Sequence, residues 1–468
     1  MNKRAALVVV LFSLACTSQY QRRGTEVSPL PKITVDQLEG NTPEKVLRQL
    51  DWESRSVEEF QNFDLGVVEI DDDGFTNPAQ LQQVREMVEH RAKADDRGLL
   101  IITFAHGWHH GAGVCDRDLC CFRRVLDRFS RMEHLAGRVN VVGIYIGWRG
   151  ESIDKSYINA TTLWSRKNAA QHIGRTGAKE VLLALDEGYS KLKRDHPDKY
   201  VAMVTVGHSL GGAMVFNVMK GLALGNANDV LDPKKHSFRV VRAEKDRVEA
   251  AGRGEKAIRA RLGDLVVLVN PAIEASQYKP FDNDLPDTSY PSFPLPDKKL
   301  RYSNDQLPVL MTVASEADMA VGVAFPAFRI VTGLIHPSIL ADSAKIKGMG
   351  HYAPQITHSL DYTGKPVGEI EKVQCGCSKN FGAVEDNVGD EQLDLYSEGT
   401  QSFGGLKFQL ERDPKTWDSH SPFVVVRATK SVIAEHSDIY NPVFIAFLQK
   451  YIQAYVKESA SVHAAGRQ

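Results

Sequence analysis

Six short apolar runs, rich in Val and Ile, recur along the chain and are separated by segments with helical periodicity. The runs are Leu99–Ala105, Val139–Gly147, Tyr200–Gly207, Asp264–Asn270, Leu307–Ser315 and Pro422–Ala428. A continuous apolar run of this length is typical of a strand buried on both faces of a parallel sheet. Because strands that alternate with helices form right-handed βαβ units, the pattern predicts an α/β protein with a mostly parallel central sheet and helices on both faces.

The length of 468 residues fits one elaborated domain of this class. We interpret residues 43–460 as a single domain. Three segments lack the alternating pattern, and we interpret them as insertions over the sheet: residues 232–261, 279–306 and 336–412. Insertions at the carboxyl ends of strands often form lids or substrate walls, and surface decoration is the alternative.

The first 16 residues have the order of charge and apolar character that is typical of an export signal. Lys3 and Arg4 precede the apolar run Ala5–Ala15, which is much shorter than the roughly 20 residues of a spanning helix. The segment SLAC, ending at Cys16, resembles the lipobox of bacterial lipoproteins, although Ser13 stands where that pattern prefers Leu. The resemblance implies that Cys16 is lipidated and that residues 17–42 tether the domain to an envelope membrane. The alternatives are ordinary signal cleavage without lipidation and an apolar N-terminal strand.

Net charge and cysteine spacing narrow the set of partners. A formal net charge of −2 opposes a general attraction to nucleic acid, so we expect no nucleic-acid partner.

In an exported protein, the cysteines after Cys16 are expected to form disulfides and leave one thiol, rather than to act in redox catalysis. Their spacing does not match a zinc site, and no feature indicates an oligomeric state. These cysteines are Cys115, Cys120, Cys121, Cys375 and Cys377.

The segment TVGHSLGGA, Thr205–Ala213, joins one of the predicted strands to a helical pattern and places Ser209 in the spacing G-x-S-x-G. In a sharp strand-to-helix turn of this kind the serine hydroxyl stands above the sheet. The N-terminus of the following helix points at the same place, where its amides stabilise negative charge. We therefore interpret Ser209 as a nucleophile, with a helix N-cap as the alternative.

A serine nucleophile needs a base, and the base needs a carboxylate that orients it. Asp318 follows an apolar strand and is our choice for the acid, with Glu316 as the alternative. His436 follows the last apolar strand and precedes a long amphipathic helix, so it should lie at the same edge of the sheet as Ser209. His420 precedes that strand and should lie at the opposite edge of the sheet. It is therefore the second choice for the base.

Six elements in this order resemble a serine esterase or lipase of the α/β-hydrolase superfamily: strand-HGW, strand-GWRG, strand-GHSLGG-helix, strand-NPA, strand-SEAD and HSDIYNP-helix. The resemblance spans roughly residues 64–457. It implies the α/β-hydrolase fold and hydrolysis of a small-molecule or lipid carboxylic ester through an acyl-enzyme, without cofactor or metal. Acyl transfer, thioester or amide cleavage by the same triad, and a catalytically idle binding lipoprotein, are the alternatives.

The resemblance also implies an oxyanion hole in the segment FAHGWHHGAG, Phe104–Gly113. The amides of Trp108 and Leu210 would bind the oxyanion that develops during acyl transfer. The histidines of this segment could instead be metal ligands, but no H-E-x-x-H pattern or matched carboxylate accompanies them. These histidines are His106, His109 and His110.

The lipobox interpretation predicts a modified N-terminus in the mature protein. Mass spectrometry of the N-terminal peptide of the membrane-extracted protein should show Cys16 as the first residue, carrying the added mass of lipid. An unmodified Cys16 in that peptide would contradict lipidation.

Overall fold

An 11-stranded sheet with helices around it forms the centre of the molecule. The computed structural model describes residues 22–27, 31–38, 50–132, 135, 137–150, 159–227, 239–240, 257–258, 262–281, 307–324, 326, 330, 339–340, 342–365, 392–413, 417 and 419–465. The predicted α/β class and mostly parallel sheet are confirmed. All six apolar runs contribute strands to this sheet.

The strands, in chain order, are β1 Val57–Glu59, β2 Phe63–Ile70, β3 Gly98–Ala105, β4 Val139–Trp148, β5 Val201–His208, β6 Arg239–Val240, β7 Ala257–Ile258, β8 Leu265–Val269, β9 Leu310–Ser315, β10 His358–Tyr362, β11 Thr400–Phe403, β12 Leu406–Leu410 and β13 Phe423–Ala428. The spatial order in the large sheet is β1-β2-β4-β3-β5-β8-β9-β13-β10-β12-β11. From β2 to β10 all neighbours are parallel, and β1, β12 and β11 add antiparallel edges. The carboxyl ends of the parallel strands therefore share one edge. The two-residue strands β6 and β7 pair separately.

The α-helices are α1 Val35–Leu38, α2 Pro78–Lys93, α3 Arg117–Arg131, α4 Asn159–Arg175, α5 Gly177–Asp195, α6 Ser209–Ala227, α7 Ser343–Ile346 and α8 Pro442–Ala465. Capping residues define the starts of α2 and α3. Asn77 accepts from the amides of Ala79 and Gln80, and Asp116 accepts from the amide of Asp118. No helix in the described part of the chain combines the length and apolar character needed to span a bilayer.

Alternate residues of each central strand enter two separate apolar cores. Leu100, Ile102 and Phe104 of β3 pack in the core that α3 and α8 cover. Leu99 and Ile101 of the same strand pack in the opposite core, which α2, α5 and α6 cover. The sheet is therefore buried on both faces, which explains why its strands have continuous apolar sequences.

Part of the predicted tether, residues 17–42, packs against the domain. The Arg23 side chain is fully buried, and its guanidinium donates to the carbonyls of Ala112 and Trp52 and to Glu58. Arg123 donates to both carboxylate oxygens of Glu58 at 2.7 Å. Since an unpaired buried charge is costly, this three-residue cluster fixes the N-terminal segment to the domain. The predicted signal, residues 1–16, lies outside the described residues.

The three predicted insertions differ in what the structure describes. Residues 336–412 contribute β10, β11 and β12, so this segment extends the sheet rather than only covering it. Residues 232–261 are described only at β6 and β7, and residues 282–306 lie outside the described part of the chain. The lid therefore stays a prediction.

A disulfide bond involves Cys121, which is buried in α3. This agrees with the expectation that cysteines after Cys16 form disulfides. Cys16, Cys375 and Cys377 lie outside the described residues.

The buried charge cluster predicts that substitutions at two neighbouring glutamates of β1 reduce the stability of the protein by very different amounts. Glu58→Gln should destabilise the protein by about 3–5 kcal/mol, because two buried guanidinium groups lose their carboxylate. Glu59→Gln is the matched control: its side chain is 43% exposed and lies 3.9 Å from Lys32, so the expected loss is at most about 1 kcal/mol. Urea unfolding measures both variants, and equal losses would contradict the role of the cluster.

The same cluster makes stability depend on pH with a defined sign. Burial alone would raise the pKa of Glu58, but Arg123 and Arg23 outweigh it and lower that pKa. The stabilisation by Glu58 is therefore complete above the pKa of an unfolded glutamate, about 4.3, and is lost as the pH falls through the lower folded pKa.

Candidate active site

The turn between β5 and α6 holds Ser209 in a strained conformation. Ser209 has a φ of 55°, in the left-handed region that non-glycine residues rarely adopt. Its side chain is nearly buried, and its carbonyl accepts from the amide of Ala272 at 3.0 Å. Backbone strain at one serine between a strand and a helix is the geometry that the G-x-S-x-G spacing predicts.

Glycine is required at the two flanking positions because other backbone lies there. A Cβ on Gly211 would stand 2.3 Å from the carbonyl oxygens of both Ala105 and His106. A Cβ on Gly207 would stand 2.8 Å from the Cα of Gly212. The start of α6 therefore packs directly against the end of β3.

Ser209, His436 and Asp318 form a continuous chain of hydrogen bonds. The His436 Nε2 lies 2.7 Å from Ser209 Oγ, and its Nδ1 lies 2.7 Å from Asp318 Oδ2. The Asp318 side chain is fully buried, whereas His436 is 22% exposed. Because Nδ1 faces a carboxylate, it carries the proton, and the Nε2 lone pair faces the serine hydroxyl.

The second carboxylate oxygen of Asp318 is also satisfied. It accepts from the amides of Ala320 at 2.9 Å and Val321 at 3.0 Å, at the start of a single π-helical turn, Ala320–Ala324. Two amides and one imidazole N–H therefore fix the orientation of the carboxylate.

The alternative acid, Glu316, and the alternative base, His420, do not join this chain of hydrogen bonds. Glu316 is exposed, and its amide donates to Ala428. The His420 ring stacks on Tyr396 with a centroid distance of 4.4 Å, before the amino end of β13. The structure therefore brings together Asp318 and His436, not Glu316 or His420, with Ser209.

The loop after β3 lies beside the serine. A Cβ on Gly107 would stand 3.0 Å from the Ser209 Cβ, so this loop passes close to the turn. The amides of Trp108 and Leu210 donate to no acceptor in the described part of the chain. Two unused amides beside a buried hydroxyl can bind a developing oxyanion.

His106 holds this loop in place rather than pointing at a ligand. Its Nδ1–H donates to the carbonyl of Gly107, and its Nε2 accepts from the amide of Trp148. The ring stacks on Trp148 and Tyr145. Burial lowers the pKa of His106 to about 4, so the ring is neutral. With both nitrogens engaged, His106 has no lone pair for a metal ion.

His110 forms a group with two aspartates, Asp116 and Asp118, between the loop after β3 and the start of α3. His110 Nδ1 lies 3.1 Å from Asp116, and its Nε2 lies 3.4 Å from Asp118. Burial raises the pKa of Asp118 to about 6, although His110 opposes this shift. Asp116 also accepts from the amide of Gly111, so the group ties the loop to the start of α3. In the described ranges no three His, Cys, Asp or Glu side chains are arranged to hold a metal ion.

Two further polar residues contact the candidate triad and were not predicted from the sequence. His208 and Asn270 both donate to the backbone carbonyl of His436, at 3.1 Å and 2.9 Å. Asn270 is the asparagine of the NPA element, directly after β8. A polar residue at the carboxyl end of a buried strand, next to the strand of the nucleophile, was the available signal.

Comparisons with other proteins give no family. No protein-family model matches the sequence, and no curated protein matches it. A weak likeness exists to the crystal structure of an uncharacterized protein from Pseudomonas aeruginosa, with 15% sequence identity and a TM-score of 0.20. The match covers 51% of this chain and 38% of that chain. At this TM-score the likeness says nothing about a shared fold or function.

The packing at the start of α6 predicts opposite effects for two glycines of one helix. Gly211→Ala should destabilise the protein by about 1–3 kcal/mol, because its Cβ meets two backbone carbonyls that cannot move independently. Gly221→Ala has open space around its Cβ and should stabilise by about 0.5–1 kcal/mol through helix propensity. Urea unfolding measures both. A Gly211→Ala protein as stable as the wild type would show that the strand and the helix do not pack this closely.

Proposed function

We propose that the protein is a serine hydrolase that cleaves carboxylic esters. The observation that carries this proposal is the unbroken chain from Ser209 Oγ through His436 to the buried Asp318, with 2.7 Å at each step. A serine hydroxyl is unreactive without such a base, and the base needs an anion that stabilises its protonated form. The strained turn at Ser209 and the two unused amides beside it add to this support.

In the acylation half-reaction, Ser209 Oγ attacks the ester carbonyl carbon while His436 Nε2 takes the hydroxyl proton. The carbonyl oxygen becomes an oxyanion, and the amides of Trp108 and Leu210 donate to it. Asp318 remains ionised and stabilises the imidazolium. His436 then gives its proton to the leaving alkoxide, the carbon–oxygen bond breaks, and an alcohol departs from the acyl-enzyme.

Deacylation repeats these steps with water as the nucleophile. His436 Nε2 takes a proton from a water molecule, whose oxygen attacks the acyl carbon. The tetrahedral intermediate collapses, His436 returns the proton to Ser209 Oγ, and the carboxylic acid leaves. No other group has to supply or accept electrons in this cycle.

The parallel sheet, the nucleophile turn and the order Ser209, Asp318, His436 along the chain support assignment to the α/β-hydrolase fold. In this proposal, residues 1–16 export the protein, and Cys16 anchors it by a lipid in a bacterial cell envelope. Its substrates are then small-molecule or lipid esters that reach the envelope.

An active-site-directed fluorophosphonate tests the nucleophile. The wild-type protein should be labelled at Ser209, and Ser209→Ala should lose the label. On an ester panel of varied acyl length, Ser209→Ala should lower kcat on the order of 10⁶-fold. Absence of labelling in the wild type, or equal labelling of both proteins, would favour an idle scaffold. Acyl transfer to an added alcohol or amine in preference to water would redirect the proposal to an acyltransferase.

Matched variants distinguish the proposed acid and base from the two alternative residues. Asp318→Asn should lower kcat about 10⁴-fold, because the amide disfavours the required His436 tautomer. Glu316→Gln, two residues earlier, and His420→Asn should change kcat less than about threefold, in contrast to His436→Asn. A large loss in either control would move the acid or the base to another residue.

A further inference from the structure

The backbone carbonyl of His436 is held by two side chains that take no part in the proton transfers. His436 lies in the connection between β13 and α8, which has no regular secondary structure. The position of the ring matters, because a misplacement of about 1 Å in a catalytic group can cost about 100-fold in rate. His208 Nε2 and Asn270 Nδ2 both point at the His436 carbonyl oxygen, at 3.1 Å and 2.9 Å.

Asn270 connects the loop of the base to the strand of the acid. Its side chain is completely buried, and its backbone is left-handed with a φ of 45°. Its Oδ1 accepts from the amide of Ser315 at 2.8 Å, at the end of β9 and three residues before Asp318. Since Ser315 presents an N–H, the amide oxygen must face it, and the amide nitrogen must face His436. One side chain therefore sets the distance between the two loops.

His208 connects the same carbonyl to the nucleophile turn. It directly precedes Ser209, and its ring centroid lies 5.2 Å from that of His436. A carbonyl only accepts, so the proton of His208 is on Nε2. Its Nδ1 is buried without a hydrogen-bond partner in the described structure and faces Gly107, whose Cβ would stand 2.9 Å away. Burial, reinforced by the neighbouring His436, lowers the pKa of His208 well below its usual value, so the ring is a neutral donor.

We propose that His208 and Asn270 are positioning residues that clamp the backbone of His436, so that its ring bridges Ser209 and Asp318 without further adjustment. This inference rests on the proposed function for its kinetic consequence. The clamp sets the position of His436 relative to Ser209 and Asp318, the groups between which the proton moves, and its hydrogen bonds in the described residues involve neither Trp108 nor Leu210. Its loss should therefore reduce kcat and the labelling rate of Ser209 while leaving KM within about twofold.

Asn270→Asp tests the clamp with the smallest change in shape. The introduced carboxyl keeps an acceptor for Ser315 and, when ionised, replaces the donor to His436 with an oxygen that repels the carbonyl. We expect kcat to fall about 10- to 100-fold at pH 9. A buried carboxyl has a raised pKa and donates again when protonated, so the deficit relative to the wild type should shrink toward pH 6. Destabilisation by the buried carboxyl would also grow as it ionises, so urea midpoints at both pH values must show that the variant is folded under the assay conditions.

His208 offers an independent rescue. His208→Gln keeps an N–H donor at a similar reach, whereas His208→Met fills the space without a donor. The glutamine variant should retain at least tenfold more kcat than the methionine variant, with urea midpoints measured for both. Equal kcat values in two folded variants would overturn the role of His208, and a deficit of Asn270→Asp that is independent of pH would overturn that of Asn270.

An NMR measurement that does not depend on catalysis tests the clamp independently of the proposed function. The proton between His436 Nδ1 and Asp318, which lie 2.7 Å apart, should give a far-downfield ¹H resonance in NMR spectra. The clamp predicts that Asn270→Asp and His208→Met shift or broaden this resonance, and that the control Glu316→Gln does not. If the wild type neither hydrolyses esters nor reacts with fluorophosphonate but these shifts occur, the proposed function fails and the clamp stands. Unchanged spectra in both variants would overturn the clamp.

Discussion

The close approach of α6 to the end of β3 is the constraint on which the candidate site depends. Gly211 brings the backbone of the helix against the carbonyls of Ala105 and His106, at a distance that admits no side chain. The loop that starts at His106 must then pass over the turn at Ser209, and Gly107 leaves room for it. One backbone-to-backbone contact thus sets the serine, the first helix amides and the loop amide in one place. Such a contact is rigid, because it joins backbone atoms and has no side chain between them that can rotate away.

Local patterns were sufficient for six central strands and for the nucleophile turn. The apolar runs mark strands that are covered on both faces, and the turn has its glycines within five residues. The choice between Asp318 and Glu316 was open from the sequence, because both follow β9. The structure favours the residue that can also cap the next turn: Asp318 accepts the amides of Ala320 and Val321 and is thereby held. An aspartate that caps the amides two and three residues later is a pattern that the rules of helix capping describe, so these rules could have favoured Asp318 from the sequence.

The interactions that the sequence did not predict join residues that are far apart in the chain. Arg23 is paired with Glu58, and Asn270 with His436, through positions that no spacing rule connects. The edge strands β11 and β12 were missed for a different reason. Their burial alternates, as in Leu406–Leu410, because one face is exposed, so they have no continuous apolar run. A search for period-two alternation would have detected β12, whose sequence is LKFQL.

The electrostatics of three neighbouring histidines show why His436, and none of these three, suits the proposed role of base. His106 and His208 are buried without a carboxylate partner, and burial lowers the pKa of each, so neither accepts a proton readily. His110 has carboxylates, but they face both of its ring nitrogens, which leaves none for a substrate or a serine. His436 differs from all three: one nitrogen faces a buried carboxylate, and the other faces a hydroxyl. A proton taken up at Nε2 there is stabilised by Asp318 and is not opposed by a second positive ring, because the adjacent His208 stays neutral.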